Sequence, residues 1–161
     1  MTTTIRHQLA IHTSPSEVYA RLSTPDAIGT WWDKQTLVHT SQGDIREHNP
    51  GEEHEIVQLR SVDQQADQRI EWECISQHPL SSPASAWTGT HFIFELTDVK
   101  TPASIIERSC SDCRGLPITT LNFSQTNYDE TSRFYGFNNH AWGQVLENLK
   151  KVCETNKPTG E

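Results

Sequence analysis

Four cysteines are the most reactive side chains in this 161-residue sequence, and two of them form the pattern Cys110-Ser-Asp-Cys113. Two thiols at this spacing can supply half of a zinc site or a redox-active pair. Zinc needs two further ligands, but neither a second such pair nor a closely spaced histidine pair follows. A thioredoxin-like pair precedes a helix, whereas Gly115 and Pro117 lead into another predicted strand. We therefore favour two loop cysteines over a redox pair or chance disulfide, and a metal site least.

A second group of metal-ligand side chains lies in residues 47–55, which contain two histidines and four glutamates. Carboxylates and imidazoles attract a divalent metal when they converge. Side chains on a hairpin alternate between its two faces, so this spacing does not bring them together. We interpret the segment as a solvated acidic turn and expect no metal.

Acid–base chemistry has four candidate groups on predicted strands: Glu71, Glu73, His91 and Glu95. Each alternates with apolar positions, which places it on the solvent face of its strand. The sequence contains no nucleophile elbow, no H-E-x-x-H, no P-loop and no dinucleotide fingerprint. It therefore assigns no catalytic residue and no cofactor.

The elements that would position a site end in one long helix. Apolar residues recur there at steps of three and four, which predicts an amphipathic helix over residues 128–157. The apolar positions are Phe134, Phe137, Ala141, Trp142, Val145, Leu146, Leu149 and Val152. Such a stripe needs an apolar surface to pack against, and the preceding strands can provide it.

Alternating segments predict seven strands before that helix. They cover residues 5–12, two short strands within 35–48, and residues 55–62, 67–77, 88–99 and 118–126. Two short helices follow the first strand, because Ser14 begins an S-x-x-E capping box and Thr24-Pro25 begins a second helix. The predicted order is β-α-α-β6-α. We expect an α+β fold in which a curved antiparallel sheet wraps around the long C-terminal helix, with Cys74 in its core.

Composition limits the classes of function. The chain has a net charge of −8, 34% hydrophobic residues and a mean hydropathy of −0.65. The negative charge disfavours nucleic acid as a partner, and no window is apolar enough for a membrane span. We expect one domain over residues 1–154, a polar tail over 155–161, reduced thiols and a soluble cytoplasmic protein. Exposed strand edges offer a route to a homodimer.

Short sequence motifs, together with this order of elements, resemble those of a known family. The run S-P-S-E-V-Y-A-R-L-S-T-P-D-A-I-G-T-W-W from Ser14 to Trp32 resembles the opening of the StAR-related lipid-transfer-like superfamily, whose helix-grip fold includes the birch pollen allergen. The alternating strand after Gly89-Thr90 and the helix motif of Trp142, Leu146, Leu149 and Lys150 resemble the branch named after the activator of the heat-shock chaperone ATPase. Members of the superfamily include ligand carriers, cyclases and chaperone-associated proteins. Residues 100–117 depart from the usual short hairpin and would alter ligand choice if they covered a cavity.

The resemblance implies a ligand cavity between sheet and helix. The expected ligand is a small apolar or aromatic molecule, and the candidate lining is Trp32, Trp72, Phe92, Phe94, Leu121, Phe123, Phe137 and Trp142. Ordinary core packing is the alternative for each of these side chains. Candidate polar anchors are Thr90, His91, Asn138 and His140.

Adjacent Trp31 and Trp32 cannot both face inward in the same manner. We expect one to plug the end of the sheet and the other to lie at its rim, where it can contact a ligand or a protein partner. Three functions follow: a ligand-binding protein of unknown role, a polyketide cyclase- or hydrolase-like enzyme, and a chaperone-associated or other partner-binding protein. The enzyme hypothesis requires a buried titratable group in the cavity.

Overall fold

The computed structural model describes residues 1–41, 43–50, 55–99 and 117–155. The predictions on Cys110 and Cys113, on most of residues 100–117, on part of the acidic turn and on the tail beyond Thr155 lie outside these residues. The elements, in chain order, are β1 Thr2–Ile11, α1 Pro15–Ser23, α2 Pro25–Ile28, β2 Thr36–Thr40, β3 Gly43–His48, β4 Val57–Gln65, β5 Arg69–Cys74, a 3-10 helix Pro83–Ala86, β6 His91–Val99, β7 Ile118–Asp129 and α3 Tyr135–Thr155.

The strands form one antiparallel sheet in the order β1-β7-β6-β5-β4-β3-β2. Its inner face carries the predicted apolar positions, among them Ile70, Trp72 and Cys74 of β5, all of which are buried. The predicted α+β class and element order are therefore confirmed. None of the helices in the described ranges is long and apolar enough to span a membrane.

Both short helices begin at the residues that the sequence indicates. The hydroxyl of Ser14 accepts a hydrogen bond from the Glu17 amide at 3.3 Å, and Pro15 occupies the first helical turn. The hydroxyl of Thr24 accepts one from the Ala27 amide at 3.2 Å. Each cap satisfies one of the amides that a helix leaves without a partner at its start. The two helices therefore follow β1 without a long loop.

The C-terminal helix starts later than predicted. The sequence pattern predicts helix over residues 128–134, but Tyr128 is fully buried near the end of the twelve-residue β7, opposite Thr3 of β1. The Asp129 carboxylate then accepts a hydrogen bond from the Thr131 amide at 2.9 Å, which closes a turn before α3. Pairing with β1 therefore extends the strand at the expense of the helix.

The core lies between the sheet and α3. Trp142 is the central contact, because its ring centroid lies 4.3 Å from that of Phe123 and 5.4 Å from that of Phe92. The far end of α3 is tied to β1, since Glu154 accepts a hydrogen bond from the His12 amide at 2.9 Å and Lys150 donates to the Ala10 carbonyl at 2.8 Å. These hydrogen bonds hold the C-terminal end of α3 against β1, whereas the first turns of α3 border a cavity.

Candidate functional site: an apolar cavity at the start of the C-terminal helix

An open-mouthed cavity of about 240 Å³ lies between the first turns of α3, the 3-10 helix and the start of β4. Its lining is largely aromatic and aliphatic. The lining residues are Trp32, Asp33, Pro50, Val57, Ser82, Pro83, Ala84, Trp87, Phe137, Asn138, Ala141, Trp142 and Val145. Apolar concavities with a few polar groups are the usual form of small-molecule sites.

Three indole rings form the main wall. The ring centroids of Trp32 and Trp142 are 5.1 Å apart, and Trp87 lies 6.2 Å from both. The planes of Trp87 and Trp142 differ by 28°, so these two rings are stacked. Rings held against one another in this way offer flat apolar surface at low cost in side-chain entropy.

The two adjacent tryptophans that follow α2 differ in burial. Trp31 is only 4% exposed and packs in the core, where its indole N–H donates to the Arg21 carbonyl at 2.8 Å. Trp32 is half-buried and lines the cavity. Of the two tryptophans, Trp31 is thus the buried one and Trp32 the one that borders the cavity.

The 3-10 helix places Trp87 and the rim opposite α3. The Ser82 hydroxyl caps this helix by accepting from the Ala84 amide at 3.1 Å, and the Thr90 hydroxyl donates to the Trp87 carbonyl at 2.6 Å. Asn138 of α3 donates to the Pro83 carbonyl at 3.2 Å. These bonds hold the two sides of the cavity at a set distance.

Asp33 and His48 are the titratable pair beside this cavity. The His48 Nε2 atom lies 3.6 Å from Asp33 Oδ2, and the His48 side chain is 1% exposed. Burial, with a smaller contribution from His78, lowers the pKa of His48 from 6.5 to about 4. Burial also raises the pKa of Asp33 above 3.8. His48 is therefore neutral at pH 7, and the contact is not an ion pair.

Three of the eight predicted ligand residues line the cavity: Trp32, Phe137 and Trp142. Phe137 is 62% exposed and lies at the mouth. The other five are core residues that do not belong to the cavity lining: Trp72, Phe92, Phe94, Leu121 and Phe123. The ring of Trp142 packs against Phe92 and Phe123, and the cavity lies beside this ring at the first turns of α3.

Sequence reasoning missed Trp87, Val57 and Asp33 as lining residues, and it considered His48 only as a candidate metal ligand in the acidic turn. Trp87 follows a 3-10 helix that has no apolar period, although Ser82-Pro83 is a recognisable helix start. Asp33 and His48 come from separate loops and strands, so nothing in their spacing predicts that they meet.

The other titratable candidates lie on the opposite face of the sheet, as predicted. His91 Nδ1 is 2.6 Å from a Glu71 carboxylate oxygen, and Arg69 bridges to Glu71 at 2.8 Å. Arg60 pairs with Glu73 in the same ladder. Of the proposed polar anchors, Asn138 lines the cavity, whereas His140 is exposed outside it. The described residues contain no group of three or more metal-ligand side chains.

No protein-family model matches this sequence, and no curated protein matches it either. Solved structures match over nearly the whole chain. The Aha1 dimer from Colwellia psychrerythraea matches with a TM-score of 0.70 at 21% identity, covering 96% of this chain and 98% of that one. The protein MLL2253 from Mesorhizobium loti matches with a TM-score of 0.69 at 17% identity, covering 96% and 99%.

The chain has the helix-grip fold. Another helix-grip match is DynU16, a protein in the dynemicin biosynthetic locus, with a TM-score of 0.67 at 14% identity over 96% of this chain and 48% of that one. The fold implied by the resemblance seen in the sequence is confirmed, because an Aha1 protein is among the matched structures. At these identities the matches establish the fold, and the cavity carries the argument about function.

Proposed function

We propose that this helix-grip protein binds a small, largely apolar molecule in the cavity at the start of α3. The observation that carries the proposal is the open cavity of about 240 Å³ with its wall of three tryptophans. An apolar cavity of about 150 Å³ already accommodates benzene. The space therefore suits a molecule of one or two fused rings, smaller than the occupants of pockets of roughly 300–1,000 Å³.

The free thiols support a cytoplasmic site of action. Cys74 and Cys153 are both buried and unbridged. Reduced cysteines are the rule in reducing compartments.

The direct test combines native mass spectrometry with a cavity-filling variant. Protein purified gently from its own source should release a stoichiometric small molecule on denaturation. Ala141→Phe places a ring into the cavity and should abolish binding of 3-methylindole. Calorimetry measures that binding. The matched control is Ala20→Phe on the exposed face of α1, which should bind as the wild type does. Equal binding by Ala141→Phe and Ala20→Phe would refute the cavity as the site.

A second candidate is an enzyme of the cyclase or hydrolase type, favoured by Asp33 and His48. Asp33 lines the cavity. Burial raises the pKa of Asp33 and lowers that of His48, and each shift favours the neutral form of the side chain. A carboxyl group with a raised pKa can act as a general acid. The test is chemical analysis of a ligand captured by the wild type and by Asp33→Asn after long incubation. An altered molecule with the wild type alone supports catalysis, and an unaltered one with both opposes it.

We also propose that the protein forms a homodimer through a strand edge. β1 and β2 are the two edges of the sheet, and β2 is largely exposed. Unpaired strand edges are sites of association. A partner surface built on tryptophan would use Trp32, because Trp31 is in the core. Light scattering coupled to size exclusion gives the mass: a value near 18 kDa would refute the dimer.

A further inference from the structure

We propose that the ligand of this cavity carries a protonated amine on its apolar body, held by Asp33 against the tryptophan wall. This inference rests on the proposed function and specifies the chemical class of the ligand. It would give the site a preference for organic cations over neutral and anionic molecules of the same shape.

The charge of the cavity wall is the first support. Asp33 is the one charged side chain among the described lining residues, and no lysine or arginine belongs to that lining. Its side chain is 45% exposed and thus remains reachable from the cavity mouth. An anionic ligand would meet a carboxylate that has no cation beside it among the described lining residues, so electrostatic repulsion selects against such a ligand.

The second support is that no lysine or arginine in the described part of the chain forms an ion pair with Asp33. In the described part of the chain, the one ionisable side chain within 4 Å of the Asp33 carboxylate is His48, whose Nε2 atom lies 3.6 Å from Asp33 Oδ2. His48 is neutral because burial lowers its pKa to about 4. No cation therefore offsets the partial desolvation of the carboxylate. A ligand ammonium group would supply that counter-charge and a strong hydrogen bond.

The aromatic wall is the third support. Trp32, Trp87 and Trp142 have ring centroids within 6.2 Å of one another, and all three line the cavity with Asp33. Indole faces attract cations more strongly than phenyl or phenol rings do. The wall therefore favours a cation as well as a flat apolar body, and the net charge of −8 attracts cations to the protein.

Three indoles with short substituents at the same ring position test the inference: tryptamine as the cation, 3-ethylindole as the neutral molecule and indole-3-acetate as the anion. Binding is measured by calorimetry at pH 7. The NMR signals of the tryptophan indole N–H groups in 15N-labelled protein are a second readout. We expect tryptamine to bind about tenfold tighter than 3-ethylindole, and indole-3-acetate to bind weakest.

The matched variants are Asp33→Asn and Asp98→Asn. Both remove one negative charge, but Asp98 is exposed on β6 and does not line the cavity. We expect Asp33→Asn to reduce tryptamine affinity about tenfold while leaving 3-ethylindole unchanged, and Asp98→Asn to affect neither. Thermal unfolding of each variant confirms that it is folded.

The outcomes separate the two proposals. Equal affinities for tryptamine and 3-ethylindole, or the same loss with both variants, would overturn the amine inference and leave the cavity proposal standing. Tighter binding of indole-3-acetate would overturn the inference as well. Absence of binding by all three indoles would overturn both.

Discussion

The side-chain amide of Asn138 donates to the hydroxyl of the buried Tyr128 at 2.6 Å and to the Pro83 carbonyl at 3.2 Å. One residue of α3 thereby joins the end of β7 to the 3-10 helix. Asn138 is 2% exposed and lies on the cavity wall, so its bonds keep the cavity open while the core beneath it stays packed.

Asn138→Ala should lower the free energy of unfolding by about 1–3 kcal/mol, because the buried hydroxyl of Tyr128 and the part-buried carbonyl of Pro83 lose their donor. It should also weaken ligand binding, since the 3-10 helix is then free to move relative to α3. Urea unfolding and calorimetry with 3-methylindole measure both effects. Asn148→Ala, an exposed change on the same helix, should cost less than about 0.5 kcal/mol. Equal losses from the two variants would show that the two hydrogen bonds of Asn138 have no role in stability or binding.

His48 should make the protein less stable in mild acid. Its pKa is about 4 in the folded state and 6.5 when unfolded, so between these values the unfolded chain binds the extra proton. The contribution of neutral His48 to the free energy of unfolding is fully present above pH 6.5. It decreases as the pH falls toward 4, by about 3 kcal/mol over the full range.

The check is urea unfolding at several pH values for the wild type, His48→Gln and His140→Gln. Stability of His48→Gln should vary less between pH 7 and pH 4 than that of the wild type. His140 is exposed on α3, so His140→Gln should follow the wild-type profile. Parallel profiles for all three proteins would contradict a buried neutral histidine.

Substitutions of the two adjacent tryptophans should affect stability and ligand binding differently. Trp31→Ala removes a core ring and the hydrogen bond to Arg21, and should cost about 3–5 kcal/mol. Trp32→Ala should cost less, because that ring is half-buried, but it should abolish binding of 3-methylindole. Denaturant unfolding and calorimetry decide the matter. Retained affinity in Trp32→Ala would exclude the tryptophan wall from ligand binding.

The two buried thiols should resist alkylation in the native state. Burial raises the pKa of Cys153 to about 12 and also raises that of Cys74, and only the thiolate reacts. Peptide mapping after iodoacetamide treatment should find both residues unmodified in the folded protein and modified in urea. Rapid labelling of Cys153 without denaturant would mean that the end of α3 opens readily.

Alternation and capping determined most of the fold. Strict period-two patterns such as Ile70, Trp72 and Cys74 predict which strand face is buried, because side chains on a strand alternate between its faces. Ser14 and Thr24 predict both short helices through local hydrogen bonds. These are properties of a few consecutive residues. They need no information from the rest of the chain.

Only the tertiary structure decided the start of α3 and the place of the cavity. Pairing with β1 carries β7 to Asp129, a long-range effect that overrides the helical period around Tyr128. The cavity depends on which aromatic rings fill the interior: Trp142 packs over Phe123, and the remaining space falls beside Trp87 and Asp33. Convergence of side chains from separate elements is set by packing in three dimensions, and sequence spacing does not record it.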